Sequence, residues 1–308
     1  MLFVLAGASG FLGTTWRDHL AREGHEVVRL VRGEALSAQE QHWDPYADGS
    51  DPALVRLVDR ADVVVNLAGA PLAHWPWTAS YKRTFLDSRV ATTRTLAEAV
   101  AASDRKPPMV AQNGIAGYGD RGDTVLTEEA AFDADTFMGR VSRAWQDAAA
   151  PAGDAGARVA VLRTGVVLDR RATATKLLKV LFSTGLGGPV GSGDQYFSTI
   201  SLTDWLRAAT HVATGLVDTD AGTGAAGVYN LTGPDASTNK EFGRELGRQL
   251  HRPAAVPVPA GPIRLLVGAV SSELLNSCRV EPARLLEQGF VFEHPTVQDR
   301  VAAALGRN

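Results

Sequence analysis

Three glycines stand in "AGASGFLG" at positions 7, 10 and 13, spaced G-x-x-G-x-x-G between an apolar run and a helical one. That context suits a phosphate-binding turn. Gly7 allows the tight turn, Gly10 lets the backbone approach a pyrophosphate, and Gly13 lets helix and strand pack closely. The helix that follows offers free N–H groups and a positive dipole end to the phosphates. Ser9, Phe11 and Leu12 lie in the same turn and are grouped with the glycines. A second feature is Arg32, which closes the run "EVVRLVR". An acidic side chain there would bond a ribose 2′-hydroxyl and favour NAD, whereas an Arg can pair with a 2′-phosphate. Arg29, three residues back on a strand, faces differently. A solvated surface side chain is the alternative for Arg32. Together these residues predict a bound dinucleotide, NADP(H). "VNLAG" (65–69) adds a strand end whose small residues, including Leu67, Ala68 and Gly69, let backbone lie against the adenosine side.

These residues need elements to hold them. Residues 2–6, 26–32, 61–69, 107–114 and 158–168 read as apolar or β-branched strands, with a short one at "HWD" (42–44). Between them, 11–23, 53–60, 79–102 and 137–150 carry helical spacing. In the last, Phe137, Val141 and Trp145 fall at steps of four. The alternation predicts right-handed crossovers and a doubly wound, mostly parallel α/β sheet. After residue 169 the rhythm changes. A glycine-rich loop at 184–194 precedes a helix (202–216), a strand (227–233), a helix (238–250), a Pro-rich stretch (252–262) and a further helix (262–276). The expected division is a dinucleotide-binding domain at 1–169, completed by about 197–235, and a smaller lobe from 170–196 and 236–308. That lobe is expected to cover the carboxyl ends of the strands, where open α/β sheets bind ligands.

Composition narrows the partners. The 308 residues carry 31 Lys and Arg against 34 Asp and Glu, a net charge of −3. That argues against nucleic acid, which wants a basic stripe, and against an acidic membrane surface. No window holds the roughly 18 apolar residues of a membrane helix, and no signal peptide is expected. One cysteine, Cys278, excludes an intramolecular disulfide and fits a reducing cytoplasm; a small core residue is the preferred reading over a nucleophile. Seven His lack metal-ligand spacing, so no metal site is expected. The expected partner is a small-molecule substrate, and the oligomeric state is left open.

The ordered blocks "GASGFLG", "GHEVVRLVR", "HWDP", "ADVVVNLAGAPL", "DSRVATTRTLAEAV", "LRTGVVLD", "GLGGPVGSGDQYFSTISLTDW", "GVYNLTGP", "TNKEFGRELGRQLHRP" and "RVEPARLLEQGF" span nearly the whole chain. They resemble the extended, atypical branch of the short-chain dehydrogenase/reductases. Within it they resemble an epimerase-like family, homologues of nucleoside-diphosphate-sugar epimerases with a C-terminal domain of unknown function. The resemblance implies a Rossmann-type sheet that binds NADP(H) beneath a lid. It also implies cofactor contacts from Arg32, Leu67, Ala68, Arg89 and near Val166. For Arg89, a surface salt bridge on a helix is the other reading.

The wider superfamily works with a Ser or Thr, a Tyr and a Lys, which divide proton transfer, pKa control and carbonyl polarisation. Counted back from "AWQDA", the Tyr position falls near Met138, the Lys position near Ser142 and the Ser position near Asn113. Residues 128–150 contain no Tyr and no Lys. Met has no titratable proton, and Asn donates a hydrogen bond but cannot relay a proton. Tyr118, in "AGYGD", and Tyr196, in "GDQYFS", are the other candidates. Packing under the lid is the preferred role for Tyr118, and lining the pocket for Tyr196. Tyr81 and Lys82 are adjacent and point to different sides of a helix. Asp204 is expected to anchor the helix that follows, and His211 to be structural. Asp120, Asp123, Glu128 and Glu129 read as a solvated acidic loop. Two functions follow: an NADP(H)-dependent oxidoreductase or epimerase-like enzyme on a carbonyl or hydroxyl substrate, and a non-catalytic NADP(H) sensor.

Overall fold

Phe3, Val4, Leu5 and Ala6 of strand β1 (Leu2–Ala6) are all fully buried, as are Val63, Val64 and Val65 of β4 (Val63–Asn66). Strands so apolar on both faces belong in a sheet covered on both sides. The computed structural model, which describes residues 1–47, 51–184, 187–218, 225–254, 256–259, 261 and 268–307, has that sheet. It is seven-stranded and parallel, with β1 and β4 joined by β2 (Glu26–Val31), β3 (Glu40–His42), β5 (Met109–Gly114), β7 (Val159–Thr164) and β10 (Gly227–Leu231). The order is β10-β7-β5-β4-β1-β2-β3. The chain leaves β1 toward β2 on one side and returns to β4 on the other. The switch point of this Rossmann-type sheet therefore lies at the carboxyl ends of β1 and β4, where a ligand crevice opens.

Helices cover each face. Under one, Trp16 and Leu20 of α1 (Phe11–Arg22) meet Trp205 and Val212 of α7 (Leu202–Gly215). The two Trp rings meet edge to face at 5.5 Å, and Trp16 Nε1 donates to Thr210 Oγ1 at 2.9 Å. Each buried Trp removes about 150–250 Å² from water. At about 25 cal/mol per Å² that is roughly 4–6 kcal/mol before entropy. On the other face Leu54 and Val58 of α2 (Pro52–Arg60), Leu96 and Val100 of α3 (Ala79–Ala102) and Ala152 of α5 (Ala150–Asp154) form a second cluster. Beside it, α4 (Phe137–Asp147) is capped by Thr136, whose hydroxyl accepts from Gly139 N. Trp145 anchors it by donating Nε1–H to Thr93 Oγ1 at 3.0 Å.

A third cluster gathers Phe182 of α6 (Thr173–Ser183), Phe197, Phe242 and Leu246 of α8 (Asn239–Leu250), and Val297 and Val301 near the C-terminus. The run 158–168, expected as one strand, is two. At Gly165 a Cβ would stand 2.6 Å from Ser198 O. Val166 N there donates to Ser198 O at 3.0 Å. The chain thus leaves the main sheet, and β8 (Val166–Leu168) pairs with β9 (Thr199–Ser201). The expected helix at 262–276 falls partly outside the described residues; within them, a 3-10 turn at Gly268–Ser271 leads into a short α9 (Ser272–Leu275). A two-stranded ladder, β6 (Val125–Leu126) with β11 (Arg279–Val280), had no periodicity to announce it. The acidic loop needs one correction. Glu128 is not solvated but buried, 6% exposed. Its Oε1 accepts from Asn230 N at 3.0 Å, while Oε2 has no partner. No described helix is long and apolar enough to cross a membrane.

Candidate functional site

The glycine turn is set by backbone crowding. Gly7 has φ +82°, and a Cβ on it would lie 2.6 Å from Ala68 N and from Leu67 C. A Cβ on Gly13 would lie 2.1 Å from Gly7 O. These two glycines are required by the fold itself, because strand end, turn and helix touch through backbone. Gly10 differs: its nearest neighbour for a Cβ is Gly7 O at 3.4 Å. It is the N-cap of α1 and supplies no side-chain cap, so the first N–H groups of the helix stay open to an anion. Ser9 and Gly10 are exposed, and Phe11 and Leu12 half-buried.

Across the crevice the end of β4 is held by Asn66, fully buried, whose amide donates to Thr92 and Thr93 and whose Oδ1 accepts from Ala68 N at 3.0 Å. That fixes Leu67, Ala68 and Gly69 against the turn. Arg89, on α3, packs behind them, its Cγ 3.1 Å from where a Gly69 Cβ would be. Arg89 is not a surface salt bridge. It is 9% exposed, donates Nη1–H to Ala70 O and Phe85 O, and lies 3.4 Å from the Phe85 ring and 4.9 Å from Trp145. No carboxylate pairs with it among the described residues. Burial lowers its pKa to about 9, so the charge persists at neutral pH without a counterion. An uncompensated guanidinium behind the strand end that packs on an open phosphate-binding turn suits an anionic ligand.

At the end of β2, Arg32 is exposed and in no ion pair among the described residues. Arg29 is committed elsewhere, to Glu40 on β3 at 2.7 Å. The glycine cradle, the open N-terminus, Arg89 and Arg32 together fit a phosphate-bearing dinucleotide. Val166, half-buried on β8, lies outside the main sheet, two residues past the carboxyl end of β7.

The catalytic candidates fare differently. Asn113 is 1% exposed and donates Nδ2–H to Ser142 O at 2.9 Å, while its Oδ1 accepts from Gly114 N. It ties β5 to α4 with its side chain buried, and the bonds to Ser142 and Gly114 hold its amide in place. Met138 packs with Phe85 and Val141, with Trp77, Tyr81 and Phe137 around them. Tyr118 does not point into the cleft. It is fully buried, its hydroxyl donates to Asn230 Oδ1 at 2.7 Å and accepts from Arg163 Nη1 at 2.9 Å, and burial raises its pKa. Tyr196 is half-buried, and among the described residues no hydrogen bond engages its hydroxyl. Asp204 anchors more than its own helix: fully buried, it accepts from Glu293 N at 2.7 Å and His294 N at 2.9 Å. His211 bonds Gln288, and Cys278 is buried. Among the described residues no group of three or more metal-ligating side chains gathers. Sequence reasoning passed over Arg163, whose burial follows from its place on a central strand, and the aromatic wall of His74, Trp77, Tyr81 and Phe85. For that wall a signal existed in "AHWPWT", next to a strand end. His74 stacks on Tyr81 at 3.6 Å, and Trp77 meets Phe85 at 4.9 Å.

Residues 3–136 match the NAD dependent epimerase/dehydratase family, and residues 258–304 match a domain of unknown function, DUF1731. An epimerase family protein of Mycobacterium bovis is 34% identical over 98% of this chain and 97% of its own length. The chain belongs to the epimerase family. The human epimerase family protein SDR39U1 is 32% identical, over 96% of each chain. A crystal structure of human SDR39U1 with NADPH superposes with a TM-score of 0.87 at 28% identity, covering 100% of both chains. A nucleoside-diphosphate sugar epimerase from Corynebacterium glutamicum matches at 33% identity and TM-score 0.78, over 99% of this chain and 58% of that one. The fold is thus that of an NAD(P)-binding epimerase-family protein of the short-chain dehydrogenase/reductase type, joined to the DUF1731 segment.

Proposed function

We propose that this epimerase-family chain binds NADP(H) and works as an oxidoreductase or epimerase-like enzyme on a small carbonyl or hydroxyl compound, without a Tyr-x-x-x-Lys pair. The observation that carries the reading is the combination of Gly10 at an uncapped helix N-terminus with Arg89, buried and without a carboxylate among the described residues, behind the β4 end that packs on the same turn. Arg32, exposed and in no ion pair among the described residues, stands where an NAD-binding chain would carry an acid and favours the 2′-phosphate form. NADPH bound to human SDR39U1 supports it.

The bound cofactor supplies or accepts a hydride. The chain's own residues do the rest. The turn and the N-terminus of α1 would hold the pyrophosphate, Arg32 the 2′-phosphate, and Leu67 to Gly69 would lie along the adenosine. Positioning of this kind can supply most of the rate a hydride transfer needs. A side-chain acid adds roughly a hundred- to ten-thousand-fold. With Tyr118 engaged in the core, that proton comes from Tyr196 or from water. The lobe at 170–196 and 236–308 closes over the strand ends.

A second reading, an NADP(H) sensor without turnover, draws support from Asn113 and Tyr118, both buried and hydrogen-bonded within the fold. Titration of NADPH fluorescence tests the shared claim, and no binding at tens of micromolar removes both readings. Arg32→Ala should weaken NADPH far more than NADH; an equal loss refutes the 2′-phosphate role. A panel of carbonyl substrates, followed by NADPH consumption, separates enzyme from sensor.

A further inference from the structure

Arg279 has no role in the fold that its surroundings explain. It sits on β11, flanked by Cys278 and Val280, which turn into the core around Tyr118. Arg279 therefore projects from the opposite face of its short strand. There its guanidinium lies 5.0 Å from the ring centroid of Tyr196. Its Nε is buried and has no hydrogen-bond partner. Among the described residues no carboxylate pairs with it and no acceptor engages its terminal nitrogens. Most other half-buried or buried arginines among the described residues find acceptors, as Arg163 does in Gln146 and Tyr118, Arg284 in Glu129, and Arg300 in Thr199 and two carbonyls; half-buried Arg158 is the exception.

The location matters as much as the vacancy of its donors. Cys278 Sγ is 3.9 Å from Ile115 O, just past the carboxyl end of β5. Ser198 joins the same region to β8, accepting from Val166 N through its carbonyl and donating Oγ–H to Cys278 O at 2.6 Å. Cys278 N donates to Tyr196 O at 3.2 Å, and Tyr196 N to Ser277 Oγ at 3.0 Å. Tyr196 and Arg279 are thus locked side by side on the segment that Ser198 and Cys278 tie to the chain leaving β5 and β7. The chain leaves those strands at the end of the sheet where the crevice opens.

We infer that Arg279, resting on Tyr196, anchors an oxyanion of the substrate, a carboxylate or a phosphoryl group. The inference rests on the proposed function for calling that molecule a substrate. A half-buried guanidinium without a counterion is costly. Its planar fork matches two oxygens of one anion, and an aromatic face holds the plane in place. The substrate class is then an acid that carries a carbonyl or hydroxyl, with the acid held at the lobe and the reacting carbon left toward the sheet.

The test uses the full chain, with saturating NADPH and without it. The probes are oxalate and inorganic pyrophosphate, titrated by calorimetry. At least one should bind saturably, one per chain, and the tighter one assigns carboxylate or phosphoryl. Arg279→Gln should weaken it about tenfold or more, the loss expected for hydrogen bonds to a charged group. Arg279→Lys, which keeps the charge without the fork, should fall between. Tyr196→Leu should weaken it severalfold, and Lys82→Gln should leave it unchanged. Absence of saturable binding by either probe up to roughly ten millimolar overturns the inference. So does an affinity indifferent to Arg279→Gln, or, if that variant fails to fold, to both Arg279→Lys and Tyr196→Leu. Should NADPH itself not bind, the proposed function fails while the titration without cofactor still decides the anion site.

Discussion

Gly10→Ala separates what the protein needs from what its ligand needs. At Gly10 the backbone is extended, φ −75° and ψ 170°, a conformation open to alanine. The new Cβ would meet nothing nearer than Gly7 O at 3.4 Å. Alanine is a poorer N-cap than glycine by about 0.5–1 kcal/mol. It also removes freedom from the unfolded chain, worth about 0.4–1 kcal/mol in the other direction. The two nearly cancel, so the midpoint of thermal unfolding without cofactor should move by no more than about 2 °C. Cofactor binding should behave otherwise, because the methyl group points where the pyrophosphate must approach. Losing one charge-assisted hydrogen bond costs about 1.5–3 kcal/mol, so NADPH affinity should fall about tenfold to a hundredfold. Gly13→Ala is the contrast. Its Cβ would overlap Gly7 O at 2.1 Å, so the turn must move and the apoprotein itself should lose about 1–3 kcal/mol. Fluorescence titration and calorimetric melting of both variants check the pair. If Gly10→Ala binds NADPH like the wild type, the phosphates do not sit on this turn and the reasoning fails.

Tyr118→Phe should leave any turnover intact while lowering stability by about 1–3 kcal/mol, since Arg163 and Asn230 lose a buried partner; abolished turnover at wild-type stability would return Tyr118 to the chemistry. Glu128→Gln should raise stability near pH 7 and not near pH 4. Burial raises the Glu128 pKa above its unfolded value, so the cost of its charge is absent below the unfolded pKa and complete once pH has risen through the folded one. Melting curves across that range read the difference, and a gain constant with pH would refute it. Arg89→Met should stabilise the apoprotein or leave it unchanged, because it removes an uncompensated buried charge, and should weaken NADPH about tenfold or more; a destabilised variant with unaltered NADPH affinity would make Arg89 purely structural.

Local and periodic features were open to reading from the chain alone. Val63 to Val65 announce a strand covered on both faces, and Phe137, Val141 and Trp145 announce one helical face, because side-chain spacing follows directly from backbone repeat. Gly13 was legible for the same reason, since Gly7 O and Ala8 crowd it from within the turn, and so was the positive φ of Gly7, although the backbone that crowds Gly7 comes from Leu67 and Ala68. The loss of Tyr and Lys from 128–150 is likewise a property of the string itself.

Tertiary structure decided whatever depends on partners distant in sequence. Tyr118 is excluded from the cleft by Asn230, 112 residues away, and by Arg163, 45 residues away. Glu128 leaves the solvated loop because Asn230 and Arg284 donate to it from beyond residue 229. The strand expected at 158–168 breaks at Gly165 because Ser198 presses on it. Arg89 and Arg279 look in sequence like any surface cation. Only the folded chain shows that one is buried without an anion and that the other lies against Tyr196 with its donors unused. Periodicity reports which face of an element is apolar; whether a charge on that element finds a counterion is set by which other elements the fold brings against it.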